Sequence, residues 1–227
     1  MLSRVISSSF KSTVRSISIQ TRLNSTLVKP EFPPSLLNLR IGKIIDIKRH
    51  ENADKLYVSQ IQIEENKSQE SNSDSDVEII KPKTLQVCSG LVDYMPKEIL
   101  LNSRVVLLTN LKPSKMRGVK SEAMLLAASN ENEIENNTDV SKLKVELVIP
   151  PVELPLGTLM YFKGFRPQDP TNIPRIKGKA WENIVSFLKT NGNLEVTYNE
   201  PDCILVGDKD NTQVAAKVET LANSPVH

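Results

Sequence analysis

Aromatic residues make up only 4% of this 227-residue chain, and it holds two cysteines and two histidines. Cys88 and Cys203 are far apart and form no C-x-x-C pair, so neither a disulfide framework nor a cysteine zinc site is indicated. Cys88 sits in an apolar run and reads as a small core residue. With His50 and His227 the only histidines, a histidine-built metal centre or a nucleophile–histidine–acid triad has almost nothing to work with. No G-x-x-x-x-G-K-[ST] or G-x-G-x-x-G pattern occurs, which removes support for nucleotide hydrolysis and dinucleotide binding. No apolar run approaches the roughly 20 residues that span a bilayer. The expectation is a non-enzymatic protein without metal, cofactor or membrane insertion.

Acidic residues are missing from the N-terminus. The first is Glu31, and residues 1–24 carry Arg4, Lys11, Arg15 and Arg22 among many serines. On a helix at about 100° per residue these four cations fall within roughly 40° of arc, opposite Leu2, Val5, Ile6, Phe10 and Ile17. An Arg- and Ser-rich, acid-free amphipathic start fits an organellar transit peptide, and the expected location is the mitochondrial matrix. The expected cleavage site lies near Asn24. Without residues 1–24 the chain has 25 basic and 27 acidic residues, a net charge of −2. Any nucleic-acid binding must therefore rest on a local patch.

Such a patch is visible. Lys112, Lys115, Arg117 and Lys120 fall within ten residues, with no acid until Glu122. Pro113 and Gly118 keep this run out of a regular helix, and the apolar Ala123–Ala128 tethers it as a constrained loop. Point charges on a constrained loop suit the phosphates of a folded polyanion. Residues 36–63 and 84–128 carry 11 basic and 6 acidic side chains, while acids concentrate in two polar stretches, 65–83 and 130–141, that read as flexible insertions. Only Tyr57 and Tyr94 stand out as stacking platforms in this part of the chain. Recognition by phosphate and folded shape is thus favoured over reading of a single strand.

Residues 25–35 hold Pro30, Pro33 and Pro34 and read as an extended linker. Strands are expected at Leu39–Ile47, at Lys55–Glu64 with a bulge near Ser59, and at Thr84–Ser89. A short helix at Pro96–Leu100 precedes strands at Arg104–Thr109, Glu122–Ala128 and Lys142–Ile149. Short strands at this spacing suggest a small closed barrel. Beyond it, Trp181, Ile184, Val185 and Leu188 lie at i, i+3, i+4 and i+7 and predict a helix over 178–188. Leu194–Tyr198 and Cys203–Val206 read as strands, and Asn211–Leu221 as a second helix.

Three blocks carry a resemblance: Leu39-Arg40-Ile41-Gly42-Lys43-Ile44 followed by His50 to Tyr57 (HENADKLY), then Val87 to Val92 (VCSGLV), then Leu111 to Ser129 (LKPSKMRGVKSEAMLLAAS). In this order they resemble the EMAP-II-like tRNA-binding domain, with Glu51 standing where the family usually has proline. The resemblance implies a mainly β fold, an OB-fold five-stranded barrel over 36–165 with a C-terminal α+β appendix over 166–227 packed on it. It implies a monomer, since in the eukaryotic branch the appendix stands in for a second subunit. It also implies tRNA as ligand and an aminoacyl-tRNA synthetase as possible partner. The expected RNA contacts are Lys112, Lys115, Arg117, Lys120 and Ser121, extended by Lys43, Lys48, Arg49 and Lys55. The competing expectation is a protein-interaction scaffold that kept the barrel and lost RNA affinity.

Overall fold

The computed structural model describes residues 29–65, 82–131 and 143–227. The expected transit peptide lies outside the described residues. So do 66–81 and 132–142, which hold most of the two expected insertions. Both depart from tied strand ends: Ile63 N–H donates to the Lys83 carbonyl (3.0 Å) and Asn130 N–H to that of Lys144 (3.2 Å).

Strands β1 (Leu39–His50), β2 (Ala53–Gln62) and β3 (Thr84–Ser89) form an antiparallel meander. Helix α1 (Lys97–Leu100) leads into β4 (Arg104–Leu108), which pairs with the other edge of β1. A two-stranded hairpin, β5 (Ser114–Met116) and β6 (Val119–Ser121), follows. Then β7 (Met124–Leu125) pairs with β4, and β8 (Ala127–Ser129) with β9 (Val145–Leu147). Strand β10 (Leu159–Phe162) pairs with the start of β1 and carries the sheet into the C-terminal part. There α2 (Gly178–Val185) precedes β11 (Leu188–Thr190), β12 (Val196–Tyr198), β13 (Glu200–Lys209) and β14 (Thr212–Ala215). The continuous path runs β11-β12-β13-β10-β1-β2-β3. The fold is mainly β, a barrel extended by an α+β appendix, as expected.

The sequence makes β1 and β4 a wall between two cores. Successive side chains on a strand point to opposite faces. Leu39, Ile41, Val106 and Leu108 face a core shared with Phe162 of β10 and with Ile184, Tyr198 and Leu205 of the appendix. Ile44, Val105 and Leu107 face the barrel interior with Tyr57, Ile61 and Val87. Gly42 is required on that interior face. A Cβ there would stand 2.7 Å from Ile61 Cγ2 and 2.8 Å from Leu107 Cδ1.

Three expectations need correction. The bulge lies on β1, not at Ser59. Ile44 pairs with Ile61 and Asp46 with Gln60, so Ile45 is the extra residue and Ile47 returns to the barrel core. Strand β2 needs no bulge, because Tyr57, Ser59, Ile61 and Ile63 bury one face at strict period two. The expected helix over Asn211–Leu221 is β14 and an extended tail. Val214, Ala216 and Val218 alternate, and a turn with Asp210 at φ 51° reverses the chain out of β13. Finally, Leu188 opens β11 rather than ending α2.

The N-terminal residues 30–36 lie against the appendix. Glu31 and Phe32 N–H both donate to Asn183 Oδ1 (2.9 and 3.1 Å), and the Tyr198 hydroxyl donates to the Phe32 carbonyl (2.8 Å). Lys179, which opposes the dipole of α2 at its first turn, has Glu31 as its partner at 3.4 Å.

Candidate nucleic-acid interface

The cationic run is a β-hairpin, not an irregular loop. Ser114 pairs with Ser121, Lys115 with Lys120 and Met116 with Val119, leaving Arg117 and Gly118 as a two-residue turn. Both have positive φ, 48° and 94°. That is the signature of a type I′ turn, whose twist matches the flanking strands. Glycine meets this demand without cost; arginine does not, and its Cβ pays about 1 kcal/mol or more in the left-handed region. The arginine thereby stands at the tip of the hairpin, with its side chain exposed.

One face of the hairpin docks on β3. Ser121 is 6% exposed, and its hydroxyl accepts from Cys88 N–H (3.0 Å) and donates to the Ala123 carbonyl (3.1 Å). Its hydrogen-bonding capacity is used inside the fold, so the expected RNA contact at Ser121 gives way to an anchoring role. Gln86 of β3 donates through Nε2 to the Lys120 carbonyl (2.8 Å). Glu122 N–H donates to the Gln86 carbonyl (2.8 Å), and Gln86 N–H returns to Glu122 Oε2 (3.1 Å). The Lys120 ammonium lies 2.7 Å from Glu122 Oε1. Its hydrogen bond, followed by that of Gln86, holds the Glu122 carboxyl below the usual carboxylate range.

The opposite face carries charge. Cross-strand partners share a face, so Lys115 and Lys120 stand side by side, an arrangement that is unfavourable until a counter-charge arrives. Glu122 answers Lys120. Lys112, Lys115 and Arg117 are exposed, and none of them makes an ion pair among the described residues. Met116 is exposed too.

His50 closes β1 and ties it to the hairpin. It is 5% exposed. Its Nδ1 accepts from Asn52 N–H (3.0 Å), which leaves the proton on Nε2 to be donated to the Met116 carbonyl (3.1 Å). The strand end therefore brings Lys48 and Arg49, both exposed and without ion pairs among the described residues, beside the hairpin. Lys55 belongs to the same end and pairs with Asp93 at 3.2 Å, an exposed contact worth little. Lys43 is not brought in. It lies seven residues up β1, about 23 Å from His50 at roughly 3.3 Å per residue, in register with Arg104. The tie from His50 to Met116 spans 66 residues and left no sequence signal beyond the histidine itself.

Asn110, just past the end of the strand that leads into the hairpin, is a buried pin. Its Oδ1 accepts from Asn38 N–H (3.0 Å) and its Nδ2 donates to the carbonyls of Leu36 (2.8 Å) and Pro174 (2.7 Å). Among the described residues no group of three or more metal-ligating side chains occurs, and no helix is long and apolar enough to cross a membrane.

Residues 39–158, more than half of the chain, match the family described as "Putative tRNA binding domain". The chain belongs to this tRNA-binding domain family. The matched span takes in the barrel and the hairpin. Among relatives, the cytoplasmic tyrosine–tRNA ligase of Xenopus tropicalis is 39% identical over 155 residues, 68% of this chain and 25% of that protein. The aminoacyl tRNA synthase complex-interacting multifunctional protein 1 of Mus musculus is 36% identical over 207 residues, 91% of this chain and 56% of that protein. The chain thus spans between a quarter and about half of the length of these relatives. The C-terminal domain of Plasmodium vivax p43 shares the fold with a TM-score of 0.60 at 20% identity, over 85% of this chain and 98% of that one. That likeness includes the appendix as well as the barrel.

Proposed function

We propose that this protein is a non-catalytic tRNA-binding factor that holds folded tRNA through its phosphates and shape. In this reading it serves an aminoacyl-tRNA synthetase as a cofactor, or chaperones tRNA, in the mitochondrial matrix. The observation that carries the RNA reading is the hairpin tip. Arg117 occupies a left-handed position that glycine would fill more cheaply, beside Lys112 and Lys115, none of which has a counter-ion among the described residues. An arginine fork binds phosphate bidentately, which a lysine point charge does not. The buried anchors Ser121 and His50 fix the tip against β3 and β1, so little order has to be gained on binding.

The synthetase link is supported by the two relatives, one a tRNA ligase and the other a synthetase-complex factor by name. The mitochondrial assignment is supported by the acid-free cationic N-terminus alone. The test is binding of tRNA by the full chain and by a Lys115→Ala/Arg117→Ala variant, with the N-terminus of the protein read by mass spectrometry from purified organelles. Binding lost in the variant and an N-terminus near Ser25 are expected. A folded wild type without tRNA affinity would direct the search to protein partners, and an organellar N-terminus at Met1 would sink the transit peptide.

A further inference from the structure

Beside the hairpin, a groove of about 570 Å³ runs between the end of β1 and the segment 92–98. That volume lies in the range of about 300–1,000 Å³ that small-ligand clefts occupy. Its floor is Tyr57, 2% exposed, with the hydroxyl donated to the Met95 carbonyl (3.2 Å). Its wall holds Tyr94, 41% exposed. Backbone bonds from Tyr94 and Met95 N–H to the Leu91 carbonyl (3.1 and 2.9 Å) fix the turn that presents it. The Tyr94 hydroxyl has no hydrogen-bond partner among the described residues, so it is free to bond a ligand.

Lys48 and Arg49 line the same groove and lack ion pairs among the described residues. Of the acids at its rim, Asp93 is answered by Lys55 at 3.2 Å, while Glu98 makes no ion pair among the described residues and shares the groove with Lys97. The residue after Arg49 is His50, bonded to the hairpin turn, so the groove and the cationic tip share one end of the barrel.

An open aromatic face beside two unanswered cations matches one ligand chemistry, a base joined to a phosphate. Every base has a π-face that stacks on such a ring, and the adjacent phosphate needs the cations. We infer that this groove takes one unpaired nucleotide of the bound RNA, its base stacked on Tyr94 and its phosphate held by Lys48 and Arg49. The inference rests on the RNA-binding reading and narrows it. The hairpin grips backbone of any helical RNA, and the groove requires a nucleotide free of its own stack. That nucleotide is either the single-stranded 3′ end of a tRNA or a residue unstacked within a loop.

The test measures affinity of the full chain, as wild type, Tyr94→Phe and Tyr94→Leu, for three RNAs. These are intact tRNA, the same tRNA lacking its unpaired 3′-terminal nucleotides, and a blunt RNA duplex. Tyr94→Leu is expected to weaken intact tRNA about five- to hundred-fold, the range for loss of one stacked base, with an unchanged salt slope. Tyr94→Phe, which keeps the ring, is expected to bind as wild type, and the duplex is expected to be indifferent to both changes. If the Tyr94→Leu effect vanishes on the truncated tRNA, the nucleotide is the 3′ end; if it persists, it lies in a loop. Wild-type affinity of Tyr94→Leu for intact tRNA, or an equal loss on the duplex, would overturn the inference while leaving the RNA reading intact. Absence of binding by the wild type to any of the three would overturn both.

Discussion

Replacing Glu146 by glutamine isolates one buried carboxylate on which the C-terminal tail depends. Glu146 is 6% exposed. Its Oε2 accepts from the N–H groups of Glu219 (3.0 Å), Thr220 (2.8 Å) and Leu221 (3.1 Å). Its Oε1 takes the Thr220 hydroxyl (2.6 Å) and the Lys144 ammonium (2.7 Å). Burial alone raises the pKa of this carboxyl, but the bonds from Lys144 and from Thr220 and Leu221 outweigh it and bring the pKa down to about 2. An unfolded glutamate titrates near 4.3, so the shift of roughly two units or more is worth about 3 kcal/mol. Because the folded pKa is the lower one, this stability is complete above about pH 5 and is lost as pH falls towards 2. Glutamine keeps the shape, offers one acceptor oxygen and turns an amide against N–H donors. Glu146→Gln is expected to cost about 2–4 kcal/mol at pH 7, since it leaves buried donors unpaired and drops the ammonium pair. Urea unfolding of both proteins between pH 2.5 and 7 reads this directly. The gap between the two curves should be full at pH 7 and close towards pH 2.5. A gap that is absent at pH 7, or constant across the range, would refute the assignment of this stability to the Glu146 carboxylate.

Three further outcomes follow from the geometry. Asn110→Ala strips partners from Asn38 N–H and from the Leu36 and Pro174 carbonyls, and is expected to cost about 3 kcal/mol, seen as a lower urea midpoint at unchanged slope. Arg117→Gly relieves the left-handed backbone while removing the fork. It should raise stability by up to about 1 kcal/mol and lower tRNA affinity, a trade-off that equilibrium unfolding and a binding titration measure together. The mature protein is expected to begin near Ser25, which N-terminal mass spectrometry of purified mitochondria checks.

The barrel was legible because its strands carry their own pattern. Thr84–Ser89 appears as read, and the two-sided apolar run of β4 marks a strand buried on both faces. The misreadings have physical causes. In β2 the interior face includes Ser59, so a period of two looked like a slip between Val58 and Ile61. In the tail, Val214, Val218 and Leu221 fit a helical face, but Ala216 is fully buried and restores the alternation. Pairing with β13 then decided the conformation over local preference. The cations Lys112, Lys115 and Arg117 were readable as a cluster, whereas their presentation on a type I′ hairpin depended on Gly118 following an arginine that carries no turn signal of its own. The assembly of Lys48 and Arg49 beside that hairpin rests on contacts between residues far apart in sequence, which spacing alone does not encode.

The central claim is that phosphates meet the hairpin and the end of β1. Its most direct test is the salt dependence of tRNA binding by the full chain. Five contacts from Lys48, Arg49, Lys112, Lys115 and Arg117, at about 0.7–0.9 log units each, predict a log–log slope near −4. The Lys115→Ala/Arg117→Ala variant should bind more weakly, with a slope shallower by about 1.4–1.8. Binding by the wild type that barely changes with salt, or a variant with the same affinity and the same slope, would contradict the account.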